Sequence, residues 1–138
     1  MNIDARGPRF GAVVTSVVLA VVLITGSPWL LAWQTLAFAL GALAGVGRSP
    51  YGLLFRYAVR PRIAPPTRFE APEPPRFAQA VGFAFAAIGL LGYTVGPEWL
   101  GLAATGAALA AAFLNAAFGY CLGCEMYLLV RRVAVRAE

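Results

Sequence analysis

The chain has 138 residues, of which 60% are apolar and only 12% are charged. Soluble domains carry about 25% charged residues, so this composition excludes an ordinary soluble domain and predicts a protein embedded in lipid. All eleven basic residues are arginine, the net charge is +5, and there is no histidine, the commonest metal ligand and proton shuttle. The arginines flank apolar blocks and form no single stripe, which predicts contact with anionic lipid head groups and no nucleic-acid binding.

Two apolar segments fill most of the N-terminal half, and we interpret them as a membrane hairpin. The first spans about residues 11–27 and the second about 29–46, with the turn at Ser27-Pro28. A cleavable signal peptide is the alternative for the first segment, because two arginines precede it and small residues follow it. The hairpin accounts for both segments together.

The middle of the chain, residues 47–76, has a different composition. It holds six of the arginines and seven of the ten prolines. Proline lacks the amide donor that a helix interior needs, so we expect residues 61–75 to be extended and exposed to water. The preceding segment, 51–60, mixes aromatic residues with arginine, which predicts an amphipathic helix lying at the membrane surface.

A second apolar pair follows, at about 77–95 and 99–120, with Gly96-Pro97-Glu98 as its turn. The predicted fold is therefore an all-α integral membrane protein with four transmembrane helices. Neither hairpin turn contains an arginine, whereas the N-terminal segment, the connector and the C-terminal tail contain all eleven. The positive-inside rule then predicts a multi-pass protein of the plasma or inner membrane with both termini in the cytoplasm.

The two halves of the sequence resemble each other. Pro8-Arg9-Phe10 opens the first hairpin and Pro75-Arg76-Phe77 opens the second, and each hairpin turn contains a proline. After the hairpins, Leu53-Leu54-Phe55-Arg56 matches Leu128-Leu129-Val130-Arg131. This order predicts two parallel tandem repeats, each a hairpin followed by an amphipathic interfacial helix. Chance similarity between apolar segments is the alternative.

The chain contains only two cysteines, Cys121 and Cys124. The first half has Val46-Gly47-Arg48-Ser49 in the corresponding place, so a hairpin unit does not need them. A zinc site would require Cys121 and Cys124 of two or more chains, because one chain is two ligands short. The pair could also be a structural disulfide, which a reducing cytoplasm disfavours, or two ordinary buried residues. We favour a redox-active or sulfur-carrying dithiol, the common use of this spacing in reduced compartments.

The chemistry of such a dithiol depends on where the helix breaks. On a continuous helix the two Cβ atoms lie about 5–6 Å apart, whereas a disulfide needs about 3.8 Å, so we expect a break at Gly119 or Gly123. A new helix start at Cys121 would direct free amides at its thiolate and lower its pKa, which makes Cys121 the catalytic nucleophile and Cys124 the resolving thiol. Glu125 is a like charge beside Cys124 and is expected to modulate the pair.

Three further residues are predicted to serve packing. Gly41 and Gly45 have the spacing that lets transmembrane helices approach closely, either inside the bundle or between subunits. Asn115, the one amide in a long apolar run, is expected to hydrogen-bond between helices. Short spans rich in glycine and alanine leave little interior, so a homo-oligomer is predicted.

Three stretches of the chain carry a resemblance to a known family: Arg6–Phe10, Arg48–Gly52 and, most distinctively, Asn115–Tyr127, which includes Tyr-Cys-Leu-Gly-Cys-Glu-Met-Tyr. The sequence resembles the small bacterial and archaeal membrane proteins grouped as domain of unknown function 4395. The resemblance covers nearly the whole chain. It implies four spans and a Cys-x-x-Cys motif near the end, and it implies no particular activity.

Three classes of function compete. The first is a thiol-redox or sulfur-handling membrane protein that exchanges electrons or sulfur with a soluble thioredoxin- or rhodanese-type partner. The second is a small transporter or channel subunit, for which the spans offer few polar side chains. The third is a structural accessory subunit without catalysis. The sequence indicates no resident cofactor and leaves open whether the protein is an enzyme.

Overall fold

Six α-helices make up most of residues 3–137, the part of the chain that the computed structural model describes. They are α1 Arg6–Thr25, α2 Pro28–Ala44, α3 Pro50–Leu54, α4 Glu73–Thr94, α5 Glu98–Phe118 and α6 Leu122–Ala137. Two short strands, β1 Ile3–Asp4 and β2 Phe69–Glu70, pair antiparallel. The predicted all-α fold class is confirmed.

Glycine and proline set both hairpin turns where the sequence predicts them. Gly26 ends α1 in the left-handed conformation, with φ 66°, and its N–H donates to the Val22 carbonyl. The Ser27 hydroxyl then accepts the Leu30 N–H at 3.3 Å and caps α2, whose first residue is Pro28. In the second hairpin, α4 ends at Thr94 and α5 begins at Glu98, after Gly96-Pro97.

Three of the helices have the length and composition of membrane spans. They are α1, α4 and α5, with mean hydropathies of 2.0, 1.5 and 1.6. The apolar helix α2 has 17 residues, which corresponds to about 25 Å against a hydrocarbon core of about 30 Å. Three of the four predicted spans are thus long enough by this measure, and α2 is shorter.

The segment between α2 and α4 is more ordered than the sequence predicts. After α2 come a 3-10 turn at Val46–Arg48, helix α3, a π turn at Phe55–Val59 and a second 3-10 turn at Arg60–Arg62. The predicted extended stretch 61–75 is wrong at both ends. At its start lies the second 3-10 turn. At its end, α4 begins at Glu73 and takes up the last two prolines, because first-turn amides have no intrahelical partner and proline is tolerated there.

Helix α4 lies at the centre of the bundle and packs against α2, α5 and α6, while α1 packs against α5. Its glycines permit this close packing. The Phe38 ring of α2 lies over Gly82, and the Gly101 backbone of α5 meets Gly92. A buried cluster fills the space between the helices, comprising Leu19, Val22, Leu31, Phe38, Ala86 and Ala108.

Two arginines cap helices of the other half of the chain. The Arg9 guanidinium donates from Nε to the Ala116 carbonyl at 3.2 Å and from Nη2 to the Ala117 carbonyl at 3.3 Å. Arg76 does the same at the end of α2, donating at 2.5 Å to the carbonyls of Ala42 and Leu43. The last carbonyls of a helix lack intrahelical donors and carry partial negative charge. Each guanidinium therefore supplies the missing hydrogen bonds and a compensating positive charge.

A buried polar chain joins α1, α2 and α3. Gln34 is 1% exposed; its Nε2 donates to the Thr15 hydroxyl at 3.4 Å and its Oε1 accepts from the Tyr51 hydroxyl at 2.6 Å. The Tyr51 oxygen in turn accepts from Trp33 Nε1 at 3.1 Å. These bonds satisfy the one buried amide of α2 and fix α3 against the bundle.

Candidate redox site at the cysteine pair

The site begins where α5 stops. Gly119 has φ 70°, and its N–H donates to the carbonyls of Leu114 and Asn115. The Tyr120 N–H also donates to the Leu114 carbonyl, at 3.3 Å. These bonds close the end of α5, and a left-handed residue at this position favours glycine. The predicted break at Gly119 is confirmed.

Helix α6 begins immediately afterwards, at Leu122, which places Cys121 at its N-cap. The Glu125 N–H donates to the Cys121 carbonyl at 3.0 Å, and the Cys124 N–H donates to Cys121 Sγ at 3.2 Å. The sulfur therefore takes the capping position that a serine or aspartate oxygen usually occupies. The predicted helix start at Cys121 is confirmed, and its free amides lie where they stabilise a thiolate.

Cys121 and Cys124 are joined by a disulfide bond, and their Cα atoms are 5.1 Å apart. This separation falls within the usual range for disulfides, about 4.4–6.8 Å. A regular α-helix also holds residues i and i+3 about 5 Å apart at Cα, so this separation does not by itself require the break at Gly119. Among residues 3–137, no group of three histidine, cysteine, aspartate or glutamate side chains is placed to hold a metal ion. A zinc site would still require cysteines from another chain.

The cysteine pair lies between two cavities of different character. The first, here called the inner cavity, has a volume of about 260 Å³ and is enclosed by α1, α2, α4, α5 and the start of α6. The second, the polar pocket, has a volume of about 330 Å³ and is formed by the N-terminal residues, the connector and the end of α5. Cys121 and Asn115 line both cavities, whereas Cys124 lines the polar pocket alone.

The inner cavity lies at the end of α4 and α5 that is farther from their turn. Near their turn, Gly92 and Gly101 bring the two backbones together, and Thr105 packs on Gly89. Farther along, alanines face the opening space, and Leu122, Gly123 and Met126 of α6 close it from below. Polar atoms come from three side chains in an otherwise apolar wall, Thr15, Gln79 and Asn115.

The polar pocket is lined by three arginines, Arg6, Arg9 and Arg68, and by two acids, Asp4 and Glu70. Arg6 and Asp4 form an ion pair at 3.0 Å. Burial raises the pKa of Asp4, but the hydrogen bonds and charge of Arg6 outweigh it, so this pKa lies below the usual value. Partial burial raises the pKa of Glu70, against the charge of Arg68. The pocket is net positive at neutral pH, by three charges against two.

Close contacts fix the start of α6 on α4. A Cβ added at Gly123 would lie 2.5 Å from the Ala78 Cβ and 2.7 Å from its Cα, so only glycine fits without a shift. The rings of Phe77 and Tyr127 pack 5.6 Å apart. In the first half of the chain, Phe10 and Phe55 pack 5.7 Å apart, although the sequence match pairs Phe55 with Val130 and not with Tyr127. These contacts hold the cysteine pair over the mouth of the inner cavity.

The other predicted site residues fall in different places. Glu125 is exposed in the first turn of α6 and lines neither cavity. Gly41 faces Gln79 of α4, at a distance that leaves no room for a side chain. Gly45 lies beyond the end of α2 with φ 101°, so the two glycines do not form one helix face. Asn115, expected to serve packing, lies beside the cysteines.

Sequence reasoning missed the contribution of Arg9 and Gln79. Arg9 lies in a motif that the sequence repeats at Pro75-Arg76-Phe77, but a motif does not reveal which helix end its arginine caps. Gln79 is one of three amides within the long apolar helices α2, α4 and α5, together with Gln34 and Asn115. That rarity is the one signal that could have found it, because a polar side chain in a span commonly has a function.

Comparison with known proteins gives one match. The family model described as domain of unknown function (DUF4395) covers residues 3–132, which include both cysteines and every residue that lines the two cavities. The chain therefore belongs to this family. It matches no curated protein and no solved structure.

Proposed function

We propose that this member of the DUF4395 family is a membrane thiol–disulfide redox protein in which Cys121 and Cys124 alternate between dithiol and disulfide. One observation carries the proposal: the pair lies at a helix N-cap, with Cys121 lining both a polar pocket and an apolar cavity. A sulfur in this position is accessible from the aqueous side. As a thiolate it accepts the Cys124 N–H and lies at the positive end of the α6 dipole.

Exchange with a soluble dithiol follows two displacement steps. A thiolate of the partner attacks Cys121 Sγ, the disulfide breaks, and Cys124 leaves as a thiolate that takes up a proton. The partner's second thiol then attacks the partner's first sulfur, which is bonded to Cys121 in the mixed disulfide. The partner disulfide forms and Cys121 leaves as a thiolate. In the reverse direction, Cys121 attacks a partner disulfide and Cys124 resolves the mixed disulfide. In a sulfur-handling variant, the Cys121 thiolate would attack the outer sulfur of a persulfide on a rhodanese-type partner, the partner's cysteine thiolate would leave, and Cys121 would carry the persulfide.

The partner in this proposal is a soluble protein of thioredoxin or rhodanese type that meets the polar pocket. The excess of arginine in that pocket favours an acidic rim on the partner and also stabilises a thiolate at Cys121. The membrane protein itself is expected to be a homo-oligomer, because helices rich in glycine and alanine bury little surface within one chain.

The proposed membrane arrangement has four spans, α1, α2, α4 and α5, with both chain termini in the cytoplasm. All eleven arginines lie outside the two hairpin turns, which supports this orientation through the positive-inside rule. The shorter α2 completes the bundle because it is apolar and packs along α4. The cysteine pair then lies at the cytoplasmic surface of the membrane.

The proposed architecture is a parallel tandem repeat, α1–α2 and α4–α5, each hairpin being followed by an amphipathic interfacial helix. The reciprocal capping by Arg9 and Arg76 supports it, because each arginine opens one hairpin and caps the last helix of the other. In each half the phenylalanine that opens the hairpin packs on an aromatic ring after the hairpin, Phe10 on Phe55 and Phe77 on Tyr127, with the two partners offset by three positions in the sequence match. In this arrangement the cysteines are what the second repeat adds to a shared unit.

An equilibrium redox titration tests the proposed function. The purified protein is incubated in glutathione buffers of graded potential and quenched with acid, and its free thiols are then counted with a maleimide. We expect a single reversible transition between two thiols and none. Its midpoint reduction potential should lie between about −120 and −300 mV, the range of catalytic disulfides, whereas structural disulfides lie below it. Cys121→Ser and Cys124→Ser should each show one thiol in the reducing buffers. A pair that stays fully oxidised or fully reduced across this range contradicts the proposal.

A further inference from the structure

We propose that the inner cavity binds the head group of a lipid-soluble quinone, which accepts two electrons from the reduced cysteine pair. This inference rests on the proposed redox function and names the second partner of the same site. A dithiol that cycles must pass its electrons to a second reactant. Cys121 lines two cavities, and the proposed soluble partner uses only the polar pocket. The apolar cavity remains for a second reactant.

The wall of the cavity selects for a lipophilic molecule. Apart from Cys121 and the three polar side chains, it consists of apolar residues such as Phe38, Phe85 and Ala111. Nicotinamide and flavin nucleotides carry charged phosphates, which such a wall excludes because burying an unpaired charge is costly. A lipid acyl chain fits the wall but accepts no electrons. A quinone head group meets both requirements.

The polar groups of the cavity match the two carbonyl oxygens of a quinone. The side-chain amides of Asn115 and Gln79 lie in the wall, on α5 and α4. Each amide offers N–H donors, and a quinone offers only acceptors. A few polar groups in an apolar pocket orient a ligand, and Asn115 lies in the wall that Cys121 also lines. The volume of about 260 Å³ is near the lower end of ligand pockets, about 300 Å³, so it accommodates a ring but no long tail.

The tail can remain in the bilayer. Phe85 of α4 and Ala107 of α5 line the cavity, and both residues are exposed. The exposed fraction of Phe85 is 39%. A head group can thus enter from the lipid between the two helices while its isoprenoid chain stays outside.

The redox step balances without a further reactant. The two thiols of Cys121 and Cys124 lose two protons and two electrons, and the sulfur–sulfur bond forms. The quinone takes up both electrons and both protons at its two oxygens and leaves as the quinol. A soluble dithiol then reduces the disulfide again from the polar pocket. The net reaction is oxidation of a soluble dithiol by a membrane quinone.

Decylubiquinone, a fully ring-substituted quinone with a ten-carbon tail, is the probe that tests this inference. The purified chain is reduced in detergent, freed of reductant and mixed with the quinone, and both quinol absorbance and free thiols are followed. We expect one quinol formed per two thiols lost. The double variant Cys121→Ser/Cys124→Ser should form none.

Cavity variants separate bound quinone from quinone that merely oxidises exposed thiols. Ala111→Phe fills the cavity and should slow quinol formation at least about tenfold, which corresponds to about 1.4 kcal/mol. Ala103→Phe is the matched control, because Ala103 is exposed on the same helix and lines neither cavity; its rate should stay within about twofold of the parent rate, or about 0.4 kcal/mol. Asn115→Leu should raise the quinone concentration for half-maximal rate by about five- to tenfold, the value of one hydrogen bond.

Reaction of each variant with oxidised glutathione distinguishes the possible failures. If the parent and Ala111→Phe exchange thiols with glutathione at equal rates but differ in quinol formation, the quinone site is supported. If quinol forms equally fast in Ala111→Phe, or never forms while glutathione exchange proceeds, the quinone inference is wrong and the proposed function stands. If the reduced pair reacts with neither reagent, both fail.

Discussion

At the scale of single residues, the structure gives Cys121 two roles that are usually separate. Its sulfur is half of a disulfide and also the N-cap acceptor of α6, where it accepts the Cys124 N–H at 3.2 Å. Serine fills the capping role well, and alanine does not, because it has no acceptor. The two roles can therefore be separated by substitution.

Replacement of Cys121 by serine should preserve the fold while abolishing the redox cycle. Cys121→Ala is its matched control, since both variants lack the disulfide and keep Cys124. We expect Cys121→Ala to have a free energy of unfolding about 1 kcal/mol lower than Cys121→Ser, because it loses the cap. Chemical unfolding of both variants in the same detergent, followed by circular dichroism, provides the comparison. Equal stabilities would mean that position 121 does not cap α6.

At the scale of helices, Arg9 and Arg76 perform the same structural task at two ends of the bundle. Each donates two hydrogen bonds to the last carbonyls of a helix. Only Arg9 also lines the polar pocket beside the cysteines. A comparison of the two caps therefore isolates the electrostatic effect of Arg9 on the site.

Substitution of each arginine by methionine should lower stability to a similar extent, about 1 kcal/mol, the upper value for a cation at an exposed helix end. Only Arg9→Met should slow the alkylation of reduced Cys121 at neutral pH, by roughly threefold, equivalent to half a pH unit in the thiolate fraction. Iodoacetamide kinetics on the Cys124→Ser background measure this rate for one thiol. If Arg76→Met slowed the alkylation of Cys121 by the same factor, the effect would come from general loosening of the bundle and not from the charge of Arg9.

The elements that depend on local signals could be predicted from the sequence. The two hairpin turns and the break at Gly119 were predictable because glycine and proline determine backbone conformation at their own positions. Gly45 shows the limit of such patterns. Its spacing from Gly41 indicates a packed helix face, but its φ of 101° places it outside α2. Neither of the two-residue strands contains a pattern that predicts the pairing of β1 with β2.

The candidate site could be predicted only in part, for a physical reason. The cysteines and the helix start at Cys121 follow from neighbouring residues. The inner cavity depends on contacts between residues far apart in the chain, such as Phe38 with Gly82 and Ala78 with Gly123. The position of Arg9 at the end of α5, more than a hundred residues away, is equally non-local. Neither composition nor periodicity contains this information.

At the scale of the whole molecule, the account places one redox pair at the end of the bundle where the arginines collect. The inner cavity lies within the helices, and in the proposed arrangement the polar pocket opens to water on the side of the arginines. Electrons would pass from a soluble dithiol to the pair and from the pair into the membrane. This arrangement requires that water-soluble reagents reach Cys121 from the cytoplasmic surface alone.

Sided labelling in membrane vesicles tests whether the cysteine pair faces the cytoplasm and cycles there. Inside-out and right-side-out vesicles containing the protein are reduced, washed and treated with a membrane-impermeant maleimide, before and after mild oxidation with glutathione disulfide. Our account predicts that two thiols label in inside-out vesicles, that oxidation abolishes the labelling, that a dithiol restores it, and that right-side-out vesicles stay unlabelled. Labelling from the opposite face, or thiols that never change state, would contradict it.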